Sequence, residues 1–441
     1  MEAAAFAKRF WHHVRWKSVT ELLSRAISLV FIFVTTHLLG DQGYGAFSLP
    51  LAWAGLWALT LDWGTQHLLI RELGENKSPW LLIPQAMQLK VFATLTFCGG
   101  LALSAQSLPL VPMQALAAAG LWSIAQSWND SLFALLNAYE RFQAEALYRN
   151  TMRLVLLLPQ LLVLYLTREV WTLLWVSALT QSALTLLFYG HVLWKLRKRF
   201  ASPEAPPVSA MLTFRLKPLL NLWRAGLPFW WFNVAWLVYL KLDLVMLPGL
   251  MTPSPSSDVT PLQTLGWYQG AIRCYEVVAL MGHILSMSLY PLWVRLPQPQ
   301  RPGFWLRING WLWPASIGIA LIAYGLAPVG LPLLLGSSFA PATPLFRVLS
   351  LSLPFVIFNQ IALHILSVQH RQHLTAIAAS ACLLLNGGLN LYFIPRYAAT
   401  AAAWSTVAAD ITLSVLLFSV SLLAPRTPAD PPTHTFAQTQ T

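Results

Sequence analysis

The sequence predicts an all-α integral membrane protein, with about twelve transmembrane helices in two six-helix bundles around a central hydrated cavity. Three observations predict it. Of 441 residues, 56% are hydrophobic and only 10% charged, against about 25% in a soluble domain. Apolar runs long enough to cross a bilayer, roughly 20 residues each, follow one another along the chain. Basic residues also segregate to alternate connections between those runs, a pattern that a wrong span count would scramble.

Taken in order, residues 1–17 form a basic, aromatic lead-in expected to lie as an amphipathic helix at the cytoplasmic membrane surface. Spans follow at 18–38, 44–66, 81–107, 111–137, 150–167 and 170–192, making 18–192 the first bundle. A polar, basic linker occupies 193–221. Spans at 222–249, 262–292, 306–328, 342–367, 373–394 and 400–423 make 222–424 the second bundle. A Pro-, Thr- and Gln-rich stretch, 425–441, reads as a disordered cytoplasmic tail. Membrane barrel strands would instead alternate in pieces of about ten residues.

Lys8, Arg9, Arg15 and Lys17 precede the first span, and the same side collects Arg71, Lys77, Arg141, Arg149, Lys195, Arg295, Arg301 and Arg371. The opposite connections hold only Arg168 and Arg396, so both termini are expected in the cytoplasm, in a multi-pass inner-membrane protein. A net charge of +12 therefore reports topology, and no nucleic-acid partner is expected. Cys98, Cys274 and Cys382 are isolated and have neither disulfide nor metal spacing, so they read as small buried hydrophobes.

The halves resemble one another. GYGAFSL (43–49) and LGWYQGA (265–271) open the second and eighth spans, and LLNAYERFQ (135–143) and ILSVQHRQH (365–373) end the fourth and tenth. Polar residues recur at helical spacing inside four spans: Glu21, Arg25, Ser28 and Thr35; Ser48, Asp62 and Gln66; Ser123, Gln126, Asp130 and Asn137; Gln269, Arg273, Glu276, His283 and Tyr290. Lipid does not accept such stripes, so they face protein or water. Lys241 and Asp243 stand two apart in an apolar run, about 200° apart around a helix, and cannot both face one cavity.

LLSRAISLVFIFVTTHLLGDQGYGAFSL, DLVMLPGL with LGWYQGAIRCYEVVALMGHILSMSLYPLW, and NGGLNLYFIPRYAATAAAWSTVAADI together resemble the polysaccharide or O-antigen (Wzx-type) flippases of the multidrug, oligosaccharidyl-lipid and polysaccharide (MOP) exporter superfamily. The resemblance runs from about Leu22 to Leu423; after FIPRY the family's usual GxxGAA reads AATAAA. It implies the MOP fold and transport of undecaprenyl-diphosphate-linked oligosaccharide from the cytoplasmic to the periplasmic leaflet. It implies membrane lipids, a polysaccharide polymerase and a chain-length regulator as partners, and Asp243 as the family's seventh-span aspartate.

A diphosphate wants cations, and the expected substrate-binding set is Arg25, Lys241, Arg273 and Arg347. Asp62, Asp130, Asp243, Glu276 and Asp410 are cavity or coupling candidates, for H⁺ or Na⁺, with no other cofactor expected; Asp243 has pairing with Arg273 as its structural alternative. Tryptophans of WWFNVAW (230–236) are candidates for sugar stacking. Pro228, Pro291, Gly336, Pro354, Gly387 and Gly388 are candidate hinges. The chain lacks a nucleophile–base pair, HExxH, a metal-ligand cluster and GxxxxGK[ST], which argues against a catalytic site and against a polymerase or ligase. A multidrug exporter of organic cations and a lipid II flippase are the remaining alternatives.

Overall fold

The computed structural model describes residues 2–74, 79–107, 110–139, 141–199, 216–251, 258–295, 301–368 and 372–423. All regular structure among them is helical: α1 Glu2–Trp57, α2 Thr65–Gly74, α3 Pro79–Ser104, α4 Met113–Ala138, α5 Phe142–Thr167, α6 Val170–Arg199, α7 Leu216–Leu250, α8 Pro261–Arg295, α9 Arg301–Leu335, α10 Ala342–Ser350, α11 Leu353–Val368 and α12 Gln372–Leu423. The tail 425–441 and the linker's centre lie outside the described residues.

Two of these helices fold back on themselves. α1 is broken only at Gly40 (φ 66°), in the left-handed region that glycine adopts freely. On a straight helix Phe31 and Phe47 would lie about 24 Å apart, yet their rings meet at 5.8 Å. α12 breaks at Ala398 (φ 48°), and Asn390 and Thr406, one on each arm, bond the same Asp243 carboxylate. α10 and α11 meet at a 50° bend and are long and apolar enough to cross a membrane only when taken together. Counting each arm, and the bent pair once, with α2 continuing the second arm of α1 beyond the 3₁₀ turn Ala58–Leu61, the described residues form twelve rods. By length and composition alone, six described helices qualify as spans, seven with the bent pair. α4 falls short because its polar stripe lowers its mean hydropathy.

Residues 2–39 form one uninterrupted helix, so the basic lead-in continues directly into the first span. α12 passes unbroken through Gly387 and Gly388, two expected hinges, and turns at Ala398 instead. Corresponding points of the two halves match: a 3₁₀ turn follows both α3 (Ala105–Ser107) and α9 (Ser337–Phe339), and positive φ occurs at Arg168 between α5 and α6 and at Ala398 between the arms of α12.

At one end the halves share a core. Gly45 and Gly266 cross so closely that a Cβ on Gly45 would strike the Leu262 carbonyl oxygen, and one on Gly266 the Asp41 carbonyl oxygen. The contact is reciprocal, each glycine packing on the carbonyl four residues before the other. Around it a single core joins Tyr44, Phe47 and Leu173 of the first half to Leu265, Tyr268 and Phe339 of the second. Toward the opposite, basic end the cores separate, one holding Leu69, Phe133 and Met152, the other Tyr239, Phe358 and Leu413. Cys98 departs from expectation, since it is exposed; Cys382 is buried.

Candidate functional site

Between the separated halves lies a cavity of about 620 Å³, lined by α1, α4, α5, α6, α7 and α8. It extends from the level of Phe31 and Phe47 toward the basic end, where Ile27, Gln66 and Arg149 border it.

Four cations face it: Arg149, Arg153, Lys241 and Arg273. Arg149 and Arg153 stand one turn apart on α5. Arg149 donates to Glu145 at 2.8 Å and lies 4.3 Å over the Phe133 ring. Arg153 donates to the Ser24 carbonyl at 3.1 Å and to the Ser28 hydroxyl at 3.4 Å, which ties α5 to α1. Arg273 on α8 pairs with Glu276 at 2.7 Å. With its amide oxygen turned toward Arg273, Gln269 accepts from that guanidinium at 3.1 and 3.2 Å. Two ligands thus hold the fork while it borders the cavity. Lys241 lies within electrostatic reach of Arg273 and Glu276 and makes no hydrogen bond or ion pair among the described residues. Two cations sharing one wall repel, and an anion between them relieves that repulsion.

Asp62 and Asp130 also line the cavity. Asp62 caps α2, accepting from the Thr65 backbone N–H at 3.0 Å and hydroxyl at 2.6 Å. Asp130 accepts from Gln126 at 3.3 Å. Behind them Lys90, 2% exposed, donates to Ser127 at 2.6 Å and lies within electrostatic reach of both acids.

The other predicted residues stand elsewhere. Arg25 is exposed and does not border the cavity. Arg347 lies 5.0 Å over the Tyr324 ring and donates to the Tyr324 carbonyl at 3.3 Å, away from it. Glu276 pairs with Arg273 and does not itself line the cavity. Asp243 does not pair with Arg273; its carboxylate accepts from Asn390 at 2.7 Å and from Tyr268 and Thr406 at 2.8 Å each. Asp410 accepts from Tyr239 at 2.7 Å and Tyr275 at 3.0 Å, and Tyr275 reaches Ser352 at 2.7 Å. Both acids are buried inside the second half, each held by neutral groups. The helical offset separates Lys241 from Asp243 as expected: one borders the cavity and the other the bundle interior. Of the WWFNVAW tryptophans, Trp230 donates to the Leu59 carbonyl at 2.7 Å and so joins the two halves.

Arg149, Arg153 and Lys90 were absent from the expected set. Lys90 carries the same signal as Lys241, a lone lysine in an apolar run, and Arg153 falls inside the fifth predicted span. Among the described residues no group of three or more metal-ligating side chains converges.

Comparison with known proteins sets this architecture in context. A family model described as polysaccharide biosynthesis protein matches residues 10–296. No curated protein matches the chain. Among solved structures, the lipid II flippase MurJ in an inward closed conformation superposes with a TM-score of 0.67 at 13% identity, covering 92% of this chain and 87% of that one. A multidrug resistance MATE family transporter of the MOP superfamily, outward-facing, gives 0.61 at 11% identity, covering 92% and 93%. A MOP superfamily transporter from Pyrococcus furiosus Vc1, described by the reverse polarity of its binding pocket, gives 0.58 at 11% identity, covering 93% and 94%. At such identities the likeness shows the fold: this is a multi-pass membrane protein with the MOP architecture.

Proposed function

The chain belongs to the polysaccharide biosynthesis protein family, and from that premise we propose that it is a flippase carrying undecaprenyl-diphosphate-linked oligosaccharide from the cytoplasmic to the periplasmic leaflet of the inner membrane by alternating access. The observation that carries this reading is the cation set of the cavity. Arg149, Arg153, Lys241 and Arg273 face it; Arg149 and Arg273 are paired with Glu145 and Glu276, whereas Lys241 has no ion pair among the described residues. Unbalanced charge at that depth costs roughly 3 kcal/mol or more per group, and a diphosphate with its ~2 negative charges is the matching ligand. The arginine forks suit phosphate oxygens, and Lys241 supplies a mobile point charge.

With the basic end in the cytoplasm, the cavity faces the leaflet on which lipid-linked sugars are assembled, and the Gly45–Gly266 seam closes the periplasmic side. The polyprenyl tail stays in lipid while the headgroup enters. Asp243 and Asp410, buried without a basic partner at hydrogen-bonding distance among the described residues, are the candidates for H⁺ or Na⁺ coupling, the bound cation supplying the missing charge. A polymerase and a chain-length regulator would receive the product on the far side.

Deleting the reading frame in its own host and assaying surface glycan and lipid-linked intermediates tests the proposal. Loss of glycan with intermediates retained on the cytoplasmic side is expected. Complementation with Lys241→Ala/Arg273→Ala, at normal abundance, should restore less than about a tenth of the glycan, given ~1.4 kcal/mol or more per lost charged contact. Unchanged glycan with accumulation of cationic dyes would instead identify an exporter of organic cations, a reading that Asp62 and Asp130 in the cavity favour.

A further inference from the structure

We propose that α4 carries a sugar-binding face, built on Trp122, Gln126, Asn129 and Asp130, that selects an uncharged, hydroxyl-rich sugar next to the diphosphate and disfavours an acidic one. The inference rests on the flippase reading and assigns a second subsite within its cavity.

The four residues recur at helical spacing and all border the cavity. The wall they form differs chemically from the rest. Among the described residues, every cavity-lining cation stands on α5, α7 or α8, and none on α4. Asp130 on this wall and Asp62 beside it present carboxylates to the cavity, with Lys90 behind them and Arg149 on α5 offsetting part of that charge, so a diphosphate seated on Lys241 and Arg273 leaves its glycan to face α4.

Asn129 is the second observation. It is 1% exposed, and neither its amide nitrogen nor its amide oxygen has a hydrogen-bond partner among the described residues. An amide left with both ends unmet is rare inside a folded protein and calls for a specific reason. Its neighbours supply one. Gln126 is exposed to the cavity and already reaches Asp130 at 3.3 Å, so amide, amide and carboxylate lie side by side. A carboxylate only accepts and an amide both donates and accepts, which matches adjacent hydroxyls that each do both. Trp122 adds a flat apolar surface for the C–H face of a sugar ring. An acidic sugar would bring its charge against the carboxylates of Asp62 and Asp130, which line the cavity as Lys90 behind them does not.

The test uses the full chain in lipid nanodiscs and three probes: undecaprenyl diphosphate alone, the same lipid bearing one neutral hexose, and the same lipid bearing one hexuronic acid. The hexose probe should bind about tenfold more tightly than the bare lipid, a net gain of one or two hydrogen bonds. The hexuronic probe should bind more weakly than the hexose probe. Asn129→Leu should remove the gain from the hexose and leave the bare lipid unchanged. Gln126→Ala, at a cavity-exposed position that packing does not depend on, should do the same in part. Asp130→Asn should raise binding of the hexuronic probe toward that of the hexose. Equal binding of all three probes to the wild type, or variants that weaken the bare lipid as much as the hexose probe, would overturn the subsite while leaving the flippase reading intact. Wild-type protein that binds none of the three would remove both.

Discussion

Asp243 sits 5% exposed among Tyr268, Thr406 and Asn390, which reach it from α8 and from both arms of α12. Each of those donors faces a low-dielectric interior, where an unmet polar group costs about 1–3 kcal/mol. Asp243→Leu removes their shared acceptor, although Thr406 keeps the Ala402 carbonyl and Asn390 the Asn386 amide oxygen, and a loss of about 1–3 kcal/mol is expected, read as a lowered melting temperature in nanodiscs; Asp243→Asn, which keeps an acceptor, should lose distinctly less. Equal losses would show that packing and not the carboxylate holds this point. At this scale part of the site was legible. Lys241, Arg273, Asp62 and Asp130 follow from polar residues at helical spacing in apolar runs, and all four border the cavity. Arg149 was hidden because a hydropathy reading ends the span at the first arginine and assigns the charge to topology. Arg25 and Arg347 were misplaced for the converse reason: an arginine near a span end reaches water by its own length, so its helix face is weakly determined.

Ala398 makes the turn between the arms of α12 at φ 48° and ψ −131°. A side chain is unfavourable there, by about 1–3 kcal/mol in sparsely populated backbone regions. In the resembling family the run after FIPRY opens with glycine, and here that position is Ala398. Ala398→Gly should therefore stabilise the protein by about 1 kcal/mol, relief of strain outweighing the greater freedom of glycine in the unfolded chain. Thermal unfolding of the two proteins side by side checks it, and a drop in stability would place the strain elsewhere. The order and number of crossings were legible because hydropathy and the alternation of basic loops report each span independently. The two hairpin turns were legible as well, since Gly40 and Ala398 fall between spans 18–38 and 44–66 and between 373–394 and 400–423; which residue takes positive φ, and the 50° bend between α10 and α11, were not, since neither leaves a compositional trace. The departure of AATAAA from a glycine-rich pattern was visible, but its meaning needed the backbone angle.

Across the whole molecule, the two halves share a close seam and meet again where Trp230 of α7 donates to the Leu59 carbonyl. Gly45 and Gly266 let two helix backbones meet, and Trp267 spans the seam by donating to Asp41 at 2.8 Å and to the Ser338 carbonyl at 3.0 Å. A rocking of rigid halves requires that this contact part as a unit. The cavity ends against this seam, so substrate can leave on that side only if it opens. Asp41→Cys/Trp267→Cys, in a chain with Cys98, Cys274 and Cys382 replaced, joined by a short cleavable thiol reagent, should stop delivery of lipid-linked glycan. Cleaving the reagent should restore delivery, and either single cysteine with the same reagent should leave it running. Continued delivery through the cross-linked protein would mean that the headgroup passes around the seam, and the gate would then have to be sought between other helices.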